Sequence, residues 1–266
     1  ISRKLNGNTT EITEGLTSWD NTNGGWYIVK SDVTLGNVTV SGDVHLILAD
    51  GCTLTVNGNI QGGSLTIYGQ NGGTGKLFVS SITSGSGKDE KREGKTGGNG
   101  GSITINGGIV KASNITSGNG GTGGSPDGSY GNGSNGGAGG ELTINGGMVE
   151  ADSITSGNGG KGGDGYSGGG KGGNGGSITI TGGMVKVSNI KSGTGGNGGS
   201  AYDPNTDVSG GSGGKGGNIT INGGIVEADS ITSGTGGTGG YGYTKGGKGG
   251  NGGNIIINGG IVEVGS

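Results

Sequence analysis

Five of the seven tyrosines in this 266-residue chain stand at the centres of glycine-rich tracts. They are Tyr130 in SPDGSYGNGS, Tyr166 in DGYSGGG, Tyr202 in SAYDPNTD, and Tyr241 with Tyr243 in YGYTKGG. A tyrosine ring is amphipathic, with an apolar face that stacks and a hydroxyl that hydrogen-bonds, which suits contact with a sugar or a protein surface. The same ring also shields a turn from water without any ligand, so the tyrosines carry both readings. The first tract has no tyrosine and carries KDEKREGK, residues 88–95, in its place.

Residues able to do covalent or acid–base chemistry are scarce. The one histidine, His45, sits in the alternating run DVHLILAD, where it is expected to face outward from a strand. The one cysteine, Cys52, has no disulfide partner in the chain and follows a turn-like ADGC, as a small core residue would. One Cys and one His cannot build a zinc cluster. Paired carboxylates could serve glycoside hydrolysis, a chemistry found on parallel β-helices. Here Glu150, Asp152, Glu227 and Asp229 recur with the repeat, so they read as solvated ladders rather than a unique site. The expectation is a protein that is not an enzyme and has no cofactor or metal. GNGGTG at 118–123 fits a dinucleotide pattern, yet it recurs in other tracts, opens no helix and is followed by no lysine of a phosphate loop. A net charge of −3 with scattered lysines argues against nucleic acid. No apolar run approaches the ~18 residues needed to span a membrane as a helix.

The elements that must position these residues are set by repetition. Eighty glycines with two prolines exclude collagen, and 25 % hydrophobic residues are too few for a layered globule of this length. Without periodicity the composition would read as disorder. Aligned on its SITI-like run, the chain instead has repeat units starting near 64, 102, 141, 177, 218 and 254, a solenoid spacing. Each full unit reads SITI, NGG, IVKAS, NITSG, then a glycine tract that takes all the length variation. Apolar residues alternate within the three runs, which makes them strands. Ile103, Ile105, Val110, Ala112 and Ile115 would point inward from one unit, too few to form a core alone, so units must stack in parallel about 4.8 Å apart. The expected fold is all-β: a right-handed, three-sided parallel β-helix.

Outward columns support that register. Lys111, Glu150, Lys186 and Glu227 alternate in sign until Glu263, and Asn106, Asn145, Asn222 and Asn258 would form a ladder at the first corner with Thr181 as the exception. The glycine pairs beside them allow the positive φ of a tight corner. Within the tracts, Gly-Gly-X triplets run on both sides of a central patch, matching the three residues per turn of polyproline II. Each tract is therefore expected to be a hairpin of two legs, forming a polyglycine II bundle alongside the β-helix. Disorder is the alternative, because ordering glycine costs about 1–2 kcal/mol per residue. The column Lys76, Ile109, Met148, Met184, Ile225 and Ile261 is a candidate seat for that bundle.

Residues 1–63 have period-2 runs without long tracts, and are expected to form a cap with Trp19 and Trp26 and the first short coils; residues 64–266 form the glycine-rich repeats of one continuous solenoid. WYIVKSDVTLGNVTVSGDVHLILADGCTLTVNGNI, SLTIYGQ and GGSITINGGIVKA resemble repeat-rich surface proteins of gut-dwelling Gram-positive bacteria, closely over about residues 17–86 and loosely beyond. The glycine hairpins resemble the polyglycine sandwich domains of phage tail-fibre adhesins, whose loop tips contact the receptor. These resemblances imply a non-catalytic bacterial cell-surface adhesin or stalk module, extracellular or secreted. Its hairpin tips, carrying Tyr130, Tyr166, Tyr202, Tyr241 and Tyr243, would meet a glycan or a host surface protein. The alternatives are a structural spacer or filament subunit, self-associating end to end through an open carboxy-terminal coil, and an ice-binding protein using the Thr104, Thr143, Thr179 and Thr220 column. The start ISRKL, without methionine or signal peptide, reads as that of a processed or recombinant segment.

Overall fold

The computed structural model describes residues 9–127 and 130–265. The start ISRKL, Gly128 and Ser129 within SPDGSYGNGS, and the final Ser266 lie outside the described residues. The chain is an all-β solenoid of 17 strands with only parallel pairings among the described residues, and a single 3-10 turn at Thr22–Gly24. The repeats stack as their spacing requires. Thr66, Thr104, Thr143, Thr179, Thr220 and Ile256 are register partners along one ladder.

Each full unit contributes a short strand, such as Ile103–Ile105, and a longer one, such as Ile109–Thr116. The second and third apolar runs are thus one strand, and its pairing skips Ser113 and Asp152. Inward residues from both strands build the core. Ile103, Ile105, Val110 and Ile115 are fully buried, and Ala112 packs at the margin. The alternation of the sequence is therefore the burial pattern itself.

The corner after the short strand depends on glycine. Gly108, Gly147, Gly183, Gly224 and Gly260 all have φ between 83° and 89°, so the second glycine of each NGG takes the left-handed conformation. Beside them Asn145 donates its Nδ2–H to Asn106 Oδ1 (2.8 Å), Thr181 donates its hydroxyl to Asn145 Oδ1 (2.8 Å), and Asn258 donates to Asn222 (2.8 Å). The threonine exception extends the ladder by its hydroxyl.

Glycine tracts leave the solenoid after the long strand and return before the next short one. Each is a hairpin of an outgoing and a return leg, as in Gly157–Gly165 and Gly168–Gly176. Gly170, Gly173 and Gly176 donate to Gly163, Gly160 and Gly157 across that hairpin at 2.7–2.9 Å. The legs of all five hairpins join into one two-layered slab in which the three residues of a triplet have different duties. The second glycine bonds the opposite layer, as Gly160 to Gly137 (2.8 Å). The first glycine bonds the same leg one coil later, as Gly172 to Ser212 (2.9 Å). The third residue points outward, and its N–H often finds the side chain of an Asn one coil earlier: Asn158 to Asn119, Thr194 to Asn158, and Lys215 to Asn174 at 2.8–3.0 Å. Burial follows the same period of three: Thr235, Gly236 and Gly237 are exposed, intermediate and buried, and so are Thr238, Gly239 and Gly240.

A Cβ on either glycine of an interior triplet would strike a neighbouring carbonyl, that of Gly137 at Gly173 and that of Gly196 at Gly172. This contact, rather than flexibility, is why the tracts are glycine. Buried serines, Ser84, Ser117, Ser156 and Ser192, hold the necks of the first four hairpins. Ser156 Oγ donates to the Gly176 carbonyl (2.6 Å) and accepts the Gly193 N–H (2.9 Å), and Ser192 does the same with Gly217 and Gly234 (2.7 and 2.8 Å). Outer positions of both layers are exposed, and Met184, Ile225 and Ile261 remain exposed as well. The bundle therefore does not sit on that apolar column; its hairpins are bonded to one another instead.

Candidate functional site

The hairpin turns bring the sequence-selected tyrosines to one end of the slab. Tyr130, Tyr202, Tyr241 and Tyr243 are 81 %, 53 %, 57 % and 56 % exposed, and Tyr166 is half-buried. Their rings make two pairs rather than one row. Tyr130 meets Tyr166 edge-on at 5.9 Å between centroids, and Tyr202 lies 6.2 Å from Tyr241; Tyr243 belongs to neither pair. The turns are tied together by backbone bonds. Tyr166 N–H donates to the Gly131 carbonyl (3.0 Å), and the N–H groups of Tyr202 and Asp203 both donate to the Tyr166 carbonyl (3.2 and 3.0 Å).

Asp203 is buried in the third of these turns, accepting from the Thr206 hydroxyl (2.7 Å) and the Asn205 N–H (2.8 Å). Those two bonds hold its carboxyl below the usual 3.8. Desolvation, and then the negative charge of Asp203 beside it, push the Tyr166 phenol above 10.0. Tyr166 therefore stays a neutral hydroxyl at physiological pH. Together the rings offer stacking faces and hydrogen-bonding hydroxyls, a binding chemistry rather than a reactive one.

Sequence reasoning missed a second aromatic group. Trp26 stacks on His45 at 4.3 Å and approaches Tyr68 at 5.3 Å, all three half-buried on the first coils. His45 does face away from the core, but in contact with these rings. Alignment of Trp26 with His45 across the ladder was the available signal. Trp19 is the buried tryptophan: its Nε1–H donates to Leu16 (3.0 Å) and its ring stacks on Tyr27. Cys52 is half-buried at the core margin.

An open groove of about 680 Å³ runs along the solenoid, lined by Lys111, Glu150, Asp152, Lys186 and Asp229 among others. Its lysines are both paired, while Asp152 and Asp229 have no ion-pair partner among the described residues. Lys111 pairs with Glu150 (2.6 Å) and Lys186 with Glu227 (3.2 Å), which makes the alternating column two separate ion pairs. Among the described residues no three His, Cys, Asp or Glu side chains gather to hold a metal, and no helix is long and apolar enough to cross a membrane.

No protein-family model matches the chain, and no curated protein matches it. Among solved structures it is similar to the nine-helix polyproline type II bundle of a springtail antifreeze protein from Granisotoma rainieri. The identity is 25 %, over 64 % of this chain and 93 % of that one, with a TM-score of 0.21. A score that low transfers neither fold nor activity.

Proposed function

We propose that this chain is a non-catalytic, extracellular presenting module, an adhesin or stalk of a bacterial surface, whose tyrosine-bearing hairpin tips contact a glycan or a host surface protein. On this reading the solenoid is a right-handed, three-sided β-helix and the slab a polyglycine II bundle. The threefold burial and bonding of the Gly-Gly-X triplets support the second assignment. The observation that carries the functional reading is the placement of four exposed tyrosines, three of them in ring pairs, at turns bonded from coil to coil. Ordered legs lower the entropy lost when such a surface binds.

The test is a glycan array and a binding screen comparing the wild type with the variant in which Tyr130, Tyr166, Tyr202, Tyr241 and Tyr243 are all Ser. Binding by the wild type and its loss in a variant with an unchanged melting temperature is the expected result. Equal binding by both, or binding by neither, removes the tip reading.

The in-register threonine ladder favours a second reading, ice binding, because it repeats hydroxyls at the ~4.8 Å strand spacing. A solution of the folded chain without thermal hysteresis dismisses it.

A further inference from the structure

The two outer faces of the slab share a backbone lattice and differ in charge. On the outgoing-leg face, over the last three hairpins, the one lysine is Lys161, and Asp164 holds it at 3.0 Å. On the return-leg face the same three hairpins place Lys171, Lys215, Lys245 and Lys248. All four are exposed, and none takes part in an ion pair among the described residues.

The bonding fixes their arrangement. Gly172, after Lys171, donates to Ser212, and Gly213, after Ser212, donates to Lys248; Lys171 and Lys248 thus share a column two coils apart. Gly175, after Asn174, donates to Lys215, which sets Lys215 one coil and one triplet from Lys171. With coils about 4.8 Å apart and triplets rising about 9 Å, neighbouring lysines are anchored roughly 10 Å apart on one face. That is close to one Debye length at physiological ionic strength, so an approaching anion feels them together. The outward positions among them are Asn174, Ser212 and others of the same neutral kind, with no carboxylate.

We propose that this return-leg face binds a polyanionic glycan, a sulfated or uronic-acid polysaccharide laid across the last three hairpins. The spacing of the lysines is near the length of a disaccharide, so charges on alternate sugars would meet successive ammonium groups. Ser and Asn side chains between them supply hydrogen bonds to hydroxyls. The face has no aromatic ring on which a base could stack, which favours a glycan over a single-stranded nucleic acid. The site is separate from the tyrosine tips, and its success or failure is independent of theirs.

The test titrates the full chain with dextran sulfate, neutral dextran and poly(dT), at low and at physiological salt. Dextran sulfate is expected to bind with an affinity that falls as salt rises, and neutral dextran not to bind. The double variant Lys171→Gln with Lys248→Gln should weaken binding at least tenfold. Lys161→Gln with Lys186→Gln removes the same charge from other faces and should change it less than twofold. The five-tyrosine variant should bind as the wild type does. Absence of dextran sulfate binding, an equal loss in the two lysine variants, or tighter binding of poly(dT) overturns the proposal.

Discussion

The solenoid and the glycine slab are stacked on the same coils but are cohesive for opposite reasons. In the solenoid, side chains such as Ile178 and Ile180 are wholly buried, and cohesion comes from apolar surface removed from water. In the slab the interior of the legs is glycine, with side chains buried only at the serine necks and near the tips, as Ala201 and Val208 are, and cohesion comes from backbone groups bonded in two directions. One region should fail when atoms are removed, and the other when atoms are added.

The largest expected effect is on the solenoid side. Ile180→Ala should cost about 2–5 kcal/mol, read as a lowered denaturant midpoint with the slope unchanged. Addition to the slab comes next. Gly173→Ala should cost about 3 kcal/mol, because its Cβ meets the Gly137 carbonyl, while Gly249→Ala in the last return leg, where an added Cβ would have only the Gly237 carbonyl at an ordinary contact distance of 3.6 Å, should stay within about 0.5 kcal/mol. Equal costs for the two glycines would show that chain entropy, not close approach, sets the requirement. Ser156→Ala should cost about 1 kcal/mol by removing the two hydroxyl bonds at the junction of the two regions, while the Gly193 N–H keeps its bond to the Gly176 carbonyl (3.0 Å).

The smallest effect is at the tip, where side chains return. Tyr166 should ionise above 10.0 in an alkaline absorbance titration, and Asp203→Asn should move it back toward 10.0 without reaching it, since desolvation remains. A raised folded-state phenol pKa means a stabilising contribution that is complete below 10.0 and lost as pH rises through the folded value. Asp203 is the reverse: its contribution is complete above 3.8 and lost as pH falls through its lowered value.

The solenoid was legible because each ladder column is a column of the aligned repeat. Val110, Val149, Val185 and Val226 could be read as one buried row from the sequence, and the left-handed corner at NGG from its glycines. Hairpin phasing was legible too, through the triplets. The bonding roles within a triplet were not, because Asn119 and Asn158 look like any polar loop residue until their side chains are seen accepting N–H groups from the next coil. Pairing of the tyrosine rings was hidden for a different reason. The turns differ in length, so sequence position alone does not give the distance from Tyr130 to Tyr166. The column of Met184, Ile225 and Ile261 stays exposed, because the legs satisfy one another's hydrogen bonds and need no apolar seat.

The first-glycine bonds all run the same way. Gly97 donates to Asn135, Gly136 to Lys171, Gly172 to Ser212 and Gly213 to Lys248, so successive peptide units lie head to tail across the hairpins. A parallel string runs from Gly87 through Asn119, Asn158 and Thr194 to Thr235. Such alignment is what gives an α-helix its macrodipole, but here it arises between chains that are themselves far from helical in that sense. The alignment stops at these strings: the N–H of the outward residue turns back to an Asn one coil earlier, as Asn158 to Asn119, and the second glycine crosses to the opposite layer, as Gly160 to Gly137. The three amides of a triplet therefore oppose one another, and each added repeat lengthens the strings without building a macrodipole along the solenoid axis.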